Sequence, residues 1–300
     1  MTLNTSKSRG GPVGVGRIKR LGLYAVLIFM AGLYLIPIYL LVVTGLKSFA
    51  EVSQAQMWAL PSGIHFDSFI KAWYGNPAEG FRGLGSNFWN SVILVIPATI
   101  ISAMLGSING YILTKWRFKG DTLVFTLLLF GMFIPYQSIL IPLVQVLSKI
   151  PWFGGTTLYG TLAGLIFVHI IYGLPITTLI FRNYYAAIPN ELIEASRIDG
   201  ATFFSIYRYI LFPLSVPGFV VVMIWEFTSV WNDFLFAVTI TGNPETQPIT
   251  VGLNNLAGSY IVEWNVQMAG SLLAALPTLL VYILLGRYFM RGLLAGSLKG

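Results

Sequence analysis

The chain has 300 residues, of which 56% are hydrophobic and 10% charged, with a mean hydropathy of +0.75. That composition cannot furnish the polar skin of a soluble domain, so the chain reads as a membrane protein. The absence of cysteine excludes disulfides, thiolate metal sites and cysteine nucleophiles, and the net charge of +7 follows from membrane topology without any nucleic-acid partner.

Residues 1–20 form an N-terminal tail, and 1–16, rich in Gly, Ser and Thr, read as disordered. Beyond it, a hydrocarbon core about 30 Å thick requires roughly 20 helical residues at about 1.5 Å each. Six apolar stretches meet or approach this length: 21–43, 91–114, 122–147, 159–181, 216–239 and 269–288. Helix is the expected element, because an open strand in lipid leaves backbone groups unpaired and the alternating pattern of a barrel is missing. The fold class is therefore all-α and polytopic. The first stretch is too long for a signal-peptide core and lacks an A-x-A-like end, so it reads as a retained signal anchor.

Residues 44–86 form a polar segment with Trp58, Pro61, Trp73, Gly75, Asn76 and Pro77. A core at 87–290 carries the other five spans, and 291–300 form a C-terminal tail. With six spans both termini share one side. Lys7, Arg9, Arg17, Lys19, Arg20, Lys115, Arg117, Lys119, Arg182, Arg197, Arg208, Arg287, Arg291 and Lys299 fall on it, against Lys47, Lys71, Arg82 and Lys149 opposite. The positive-inside rule makes the richer side cytoplasmic.

Within the third span, Pro135-Tyr136-Gln137 predicts a kinked helix beside a wet cavity, since proline frees carbonyls that need partners. Tyr136 and Gln137 are candidates for the solute pathway. His169 in the fourth span reads as a helix-packing histidine, and His65 as a surface residue.

The cytoplasmic segment 182–213 is the polar break in the chain. Pro189 suits a first helical turn, Glu191 and Glu194 suit the positive end of a helix dipole, and a helix over 190–198 follows. Asp199-Gly200 is a stop and turn signal. Phe203, Ile206, Tyr207, Ile210 and Leu211 then fall on one helical face, ended by Pro213. Ala195 and Ser196 present a low profile to an approaching protein. The pattern alone leaves open docking or an amphipathic segment at rest in the headgroups.

In the fifth span, Glu226 and Asp233 are expensive at membrane depth, about 2.5 to 3.5 kcal/mol each near the bilayer centre, and require partners, a proton or water. Their seven-residue spacing predicts one helical stripe, with Trp225, Ser229 and Asn232 beside it. An aromatic face with carboxylate and amide groups suits a sugar, although Asn232 and Asp233 also suit helix capping. The loop at 240–268, with G-N-P and PITVGLNNLAGSYIVEWN, reads as a surface loop or a contact for a soluble partner.

The string E-A-S-x-x-D-G-A at 194–201, followed by L-F-P at 211–213, resembles the signature of permease subunits of binding-protein-dependent ABC importers. Ser196 stands where that signature has alanine. N-F-W-N-S-V at 87–92, N-G-Y-I-L-T-K-W-R-F at 109–118, W-N-D-F-L-F at 231–236 and the ending at 286–300 are similar to the carbohydrate branch, in particular the smaller six-span permease of maltose-type transporters. The resemblance implies the type I importer permease fold, with Glu191, Glu194, Ala195, Ser196, Asp199, Gly200 and Ala201 in a coupling helix and turn seated in a cytoplasmic ATPase. It implies that the tail at 292–300 reaches the same ATPase. It also implies Asn254, Asn255 and Trp264 in contact with an extracytoplasmic solute-binding protein. Implied partners are a second permease, two ATPase copies, the binding protein, a sugar and membrane lipid, in the inner or plasma membrane of a prokaryote. ATP and Mg belong to the ATPase, whose closure the coupling helices convert into alternating access.

No P-loop G-x-x-x-x-G-K-[ST], H-E-x-x-H, nucleophile elbow or G-x-G-x-x-G occurs, so no catalytic, metal or cofactor residues are expected in this chain. The rival readings are a permease for a glycosylated osmolyte or polyol, and a proton-coupled carrier using Glu226 and Asp233, which would not require the coupling string.

Overall fold

The computed structural model describes residues 17–76, 82–257 and 262–297. The expected disordered tail at 1–16, Pro77 and the final residues 298–300 lie outside the described residues, as does 258–261 within the expected outer loop.

The described residues hold helices and no strand. In chain order they are α1 (Arg17–Gly45), α2 (Asp67–Tyr74), α3 (Gly85–Lys115), α4 (Asp121–Phe130), α5 (Tyr136–Leu147), α6 (Leu162–Ala186), α7 (Asn190–Ile198), α8 (Phe203–Ile206), α9 (Phe212–Leu214), α10 (Val216–Trp231), α11 (Leu235–Ile240), α12 (Ile249–Leu256) and α13 (Trp264–Ser297). A π-helical turn, Tyr207–Leu211, joins α8 to α9. Among the described residues α1, α3, α6 and α13 are each long and apolar enough to cross a membrane, and the number reaches six if two bent helix pairs each count as one span.

The centre of the bundle is the α3–α6 pair. α3 turns a stripe of small residues inward, Ala98, Ser102, Ala103, Ser107 and Gly110 among them, which lets backbones approach where lipid offers no hydrophobic drive for association. A β-carbon at Gly106 would overlap Thr177 of α6, and one at Gly110 would overlap Phe181 and the Arg182 backbone. α10 lies against both helices and α13, while α1 and α2 pack on the outside of α13. Most large apolar side chains of α1 face outward, as a helix bordering lipid requires.

Two buried apolar clusters sit at opposite ends of α3. Leu94, Val95, Leu165, Val230, Trp231 and Ile249 belong to one, and Tyr111, Phe181, Tyr185, Ile206, Leu211 and Phe219 to the other.

The sequence predicts two continuous spans that the structure breaks. The stretch 122–147 divides at Ile134-Pro135 into α4 and α5, inclined by 103°, far more than a kink. Ile134 is extended at φ −71° and ψ 120°, the conformation that a following proline favours, and Pro135 has no N–H for a continued helix. The stretch 216–239 divides after Trp231, because Asp233 turns its carboxylate to the free N–H groups of the next helix. Asn232 Nδ2 donates to the Thr228 carbonyl oxygen at 2.9 Å, an acceptor that it shares with its own backbone N–H at 3.2 Å. Asp and Asn stop a helix by this competition with the backbone.

Pro213 does not end the preceding helical run, as its sequence position predicts. That run continues past it to Leu214 and bends by 76° into α10 at Ser215. The outer loop predicted at 240–268 contains α12, packed against α3 and α13.

Candidate functional site

At one end of the bundle, α7 stands out from the membrane helices on a C-terminal turn of defined geometry. Ala201 N donates to Ser196 O at 2.9 Å and Gly200 N to Arg197 O at 3.0 Å, the pair of bonds of a Schellman motif. Gly200 has φ +82°, a left-handed position where an L side chain is strained. Thr202 then accepts from Ser205 N to cap α8. Glu191, Glu194, Ala195, Asp199 and Gly200 are exposed, and Ala201 is half-buried. Ser196 faces inward and its Oγ donates to Leu192 O at 2.6 Å. The exposed low profile therefore belongs to Ala195 alone, because Ser196 sits with Ile193 on the helix face that packs against the bundle.

The last turn of α3 grips this helix. Lys115 Nζ donates to the Ile188 carbonyl and to Asn190 Oδ1, the latter at 2.7 Å. The Arg197 guanidinium lies 4.6 Å over the Trp116 ring and donates to Lys115 O at 3.3 Å. Lys115, Trp116, Asn190 and Arg197, with Thr114, Arg117 and Glu194, line a cavity of about 600 Å³ between α3 and α7. Trp116 meets Phe203 edge-on at 5.3 Å, and Phe203 stacks on Tyr111 at 4.6 Å. Tyr111, Lys115 and Trp116 of the N-G-Y-I-L-T-K-W-R-F string thus hold α7 and α8 in place.

Between the two apolar clusters lies a polar layer. Glu226 is 2% exposed, with Ser102 of α3 beside it and Gly173 of α6 against its carboxyl. It does not line an open cavity in this subunit. Asp233 does not share a helical stripe with it, since α10 ends at Trp231. Trp225, Ser229 and Asn232 do share a face, and that face is exposed, with Trp225 at 51%.

Asp233 caps α11 by accepting from Phe236 N at 3.3 Å and Ala237 N at 3.0 Å. Its Oδ2 also stands 3.4 Å from His169 Nε2 of α6. The His169 ring meets Phe236 edge-on at 5.8 Å, and Phe236 in turn contacts Tyr172 and Tyr136. The structure therefore unites Tyr136 and Asp233 around Phe236 at the two helix breaks. Gln137 is exposed on α5, outside this group. Tyr172 carries no signal in the sequence beyond aromaticity, Phe236 enters only as the last member of the W-N-D-F-L-F string, and the sequence presents His169 only as a packing residue.

At the far end of α3 the connection after α11 is fastened. Asn87 Nδ2 donates to Gln247 O at 2.8 Å, Asn90 Nδ2 to Glu245 O at 2.7 Å, and Ser91 Oγ accepts from Ile249 N at 2.8 Å. The polar members of N-F-W-N-S, at i, i+3 and i+4, form one helix face aimed at this connection, a spacing that could have revealed the role. Asn254 and Asn255 are exposed at the end of α12, and Asn255 donates to Gln247 Oε1 at 3.0 Å. Trp264, half exposed, opens α13.

Unbroken and broken apolar helices around a small-residue helix pair, with a short polar helix displayed at one end, define a polytopic membrane protein. The chain belongs to the family of binding-protein-dependent transport system inner membrane components, whose signature covers residues 96–294. It is 45% identical to a probable ABC transporter permease protein of Pyrococcus horikoshii, over 93% of this chain and 96% of the relative. It is 35% identical to the xylose/arabinose import permease XacI of Haloferax volcanii, over 92% of each. Among solved structures, a chain of a bacterial alginate ABC transporter, crystallised with its alginate pentasaccharide-bound periplasmic protein, is similar in fold. Its TM-score is 0.63 at 15% identity, over 91% of this chain and 96% of that one.

Proposed function

We propose that this chain is one of two membrane subunits of an ATP-driven sugar importer, with α7 on the cytoplasmic side and α12 on the outer side. The observation that carries the reading is the display of α7: an exposed acidic and small-residue surface, held from below by Lys115 and Trp116 and stopped by the turn at Gly200. A surface polar helix with so rigid a base transmits force well, because its own hydrogen-bonded frame is not free to absorb the displacement. The excess of Lys and Arg at this end supports the assignment of sides. Nucleotide chemistry belongs to the ATPase partner, and this chain supplies the docking surface. A relative named for xylose/arabinose import and another named for glucose import support sugar as the cargo.

The exposed Trp225, Ser229 and Asn232 face supplies an apolar platform and hydrogen-bonding groups, and a second permease placed against it encloses a solute pathway. The test is reconstitution of the complex, purified with its co-encoded subunits and binding protein, into proteoliposomes loaded with ATP. Pentoses, hexoses, disaccharides, glucosylglycerol and amino acids are offered in turn. Accumulation of a sugar supports the proposal; accumulation of amino acids alone overturns the cargo class, and uptake that ignores ATP but follows a proton gradient overturns the energy source.

A further inference from the structure

Four buried hydroxyls lie in series beneath the coupling segment. Ser107 Oγ of α3 is 2.6 Å from Tyr185 Oη of α6 and 2.9 Å from Tyr207 Oη of the π turn. Tyr185 Oη donates to Ser215 Oγ at 3.2 Å, and Ser215 Oγ donates to the Phe212 carbonyl at 3.0 Å. Each hydroxyl has one proton to give, so the directions of all the bonds follow. Tyr185 spends its proton on Ser215 and can only accept from Ser107. Ser107 must then accept from Tyr207. The series runs Tyr207 to Ser107 to Tyr185 to Ser215 to the Phe212 carbonyl, every hydroxyl both satisfied and directed.

All four residues are buried, Ser107, Tyr185 and Ser215 completely. Bonds in series at low dielectric polarise one another, and loss of one member leaves its neighbours unpaired where water cannot replace it. The location of the series matters as well. It begins in the π turn, an irregularity often kept at functional sites, and ends at Ser215, where the 76° bend into α10 occurs. Tyr207 is stacked on Tyr111, which reaches α7 through Phe203 and Trp116. The hydroxyl series joins the π turn to the start of α10 across the α3–α6 pair, and the aromatic contacts extend it to α7.

We propose that Ser107, Tyr185 and Tyr207 are positioning residues for transport: their hydroxyl series fixes the bend at Ser215, so that displacement of α7 by the ATPase swings α10 rather than dissipating in the segment between them. This inference rests on the transport reading above.

The test compares Tyr185→Phe, Tyr207→Phe and Ser107→Ala with the wild type in the complete reconstituted complex, with Tyr209→Phe as an exposed control. The readouts are sugar accumulated per ATP hydrolysed, the ATPase rate and the thermal midpoint of the detergent-solubilised complex. Tyr185→Phe keeps the ring and breaks the middle of the series; it lowers the uptake-to-hydrolysis ratio about three- to tenfold while ATP hydrolysis continues. Tyr185→Phe/Tyr207→Phe together lower it no further than Tyr185→Phe alone, since the hydroxyls act as one unit. Should Tyr185→Phe prevent assembly, Tyr207→Phe, at the rim of the series, supplies the same comparison. A lower thermal midpoint with an unchanged ratio overturns the proposal and leaves a structural network only. A wild-type complex that hydrolyses ATP without accumulating any sugar overturns the transport reading instead.

Discussion

Gly173 and Glu226 are fitted to each other: the backbone of α6 lies so close to the carboxyl of α10 that a β-carbon on Gly173 would overlap Oε1. Gly173→Ala is therefore expected to destabilise the subunit by about 1–3 kcal/mol through overpacking. Glu226→Ala in the same chain removes the obstructing atoms and should recover part of that loss. Thermal unfolding of the single and double variants in detergent reads the coupling between the sites. Additive effects would show that the close approach carries no energetic consequence.

Gly200→Ala places a β-carbon at φ +82°, at a cost of about 1–2 kcal/mol, whereas Gly200→Asn is tolerated better because asparagine visits this region more readily. Uptake should fall in the order wild type, Gly200→Asn, Gly200→Ala, with membrane insertion unchanged. Glu194→Lys reverses an exposed charge on α7 and should release the ATPase from the purified complex. Retention of the ATPase through high-salt washing would contradict the assigned docking surface.

Asn87→Ala removes one hydrogen bond to the connection before α12 and Asn90→Ala removes two, each bond worth about 1 kcal/mol. Stimulation of ATP hydrolysis by the loaded binding protein should weaken, while basal hydrolysis is maintained. Amide exchange measured by mass spectrometry over residues 243–257 should quicken in both variants.

Asp233→Ala strips the cap from α11, a loss of about 1 kcal/mol, and removes the carboxylate facing His169. Asp233→Asn retains an acceptor for the Phe236 and Ala237 amides. If the residue serves only as a cap, Asn restores uptake; if its charge bears on the solute, Asn fails as Ala does. Sugar-uptake kinetics on the two variants separate these roles.

Glu51 accepts from Ser62 Oγ and N and from Ser48 Oγ, and the Ser62 bonds hold its carboxyl below the ordinary value of 4.5. A carboxyl depressed in the folded state stabilises the fold above its unfolded pKa, and the contribution fades as pH falls below about 4.5. Acidification should loosen the segment around residues 48–62, followed by exchange or limited proteolysis, and Glu51→Gln should abolish that part of the pH dependence.

Hydropathy locates the apolar helices because it averages over about twenty residues, and for that reason it passes over breaks only a few residues long. Pro135 announces one such break but not its 103° size. Asp233 reads in the sequence as a membrane-depth carboxylate on a continuous helix, although capping at the head of Leu235-Phe236-Ala237 is one of the roles its chemistry allows. The α7 helix and its stop at Gly200 are legible because every signal is local: Pro189, the acidic first turn and the Asp-Gly pair. Contacts made across the fold are not. Asn90 meets residue 245, and Ser107 meets Tyr185 and Tyr207, through a tertiary arrangement that periodicity does not encode. The burial of Glu226 likewise depends on which helix lies opposite, which its own segment does not state.

α3 runs unbroken for 31 residues, about 46 Å of helix, with Asn87 and Asn90 at one end and Lys115 and Trp116 at the other. It behaves as a strut clamped at both tips. A load applied to the connection before α12 and a load applied to α7 bear on the same helix, so the two ends of the bundle are linked in this subunit by a single piece of secondary structure, and neither event is mechanically private.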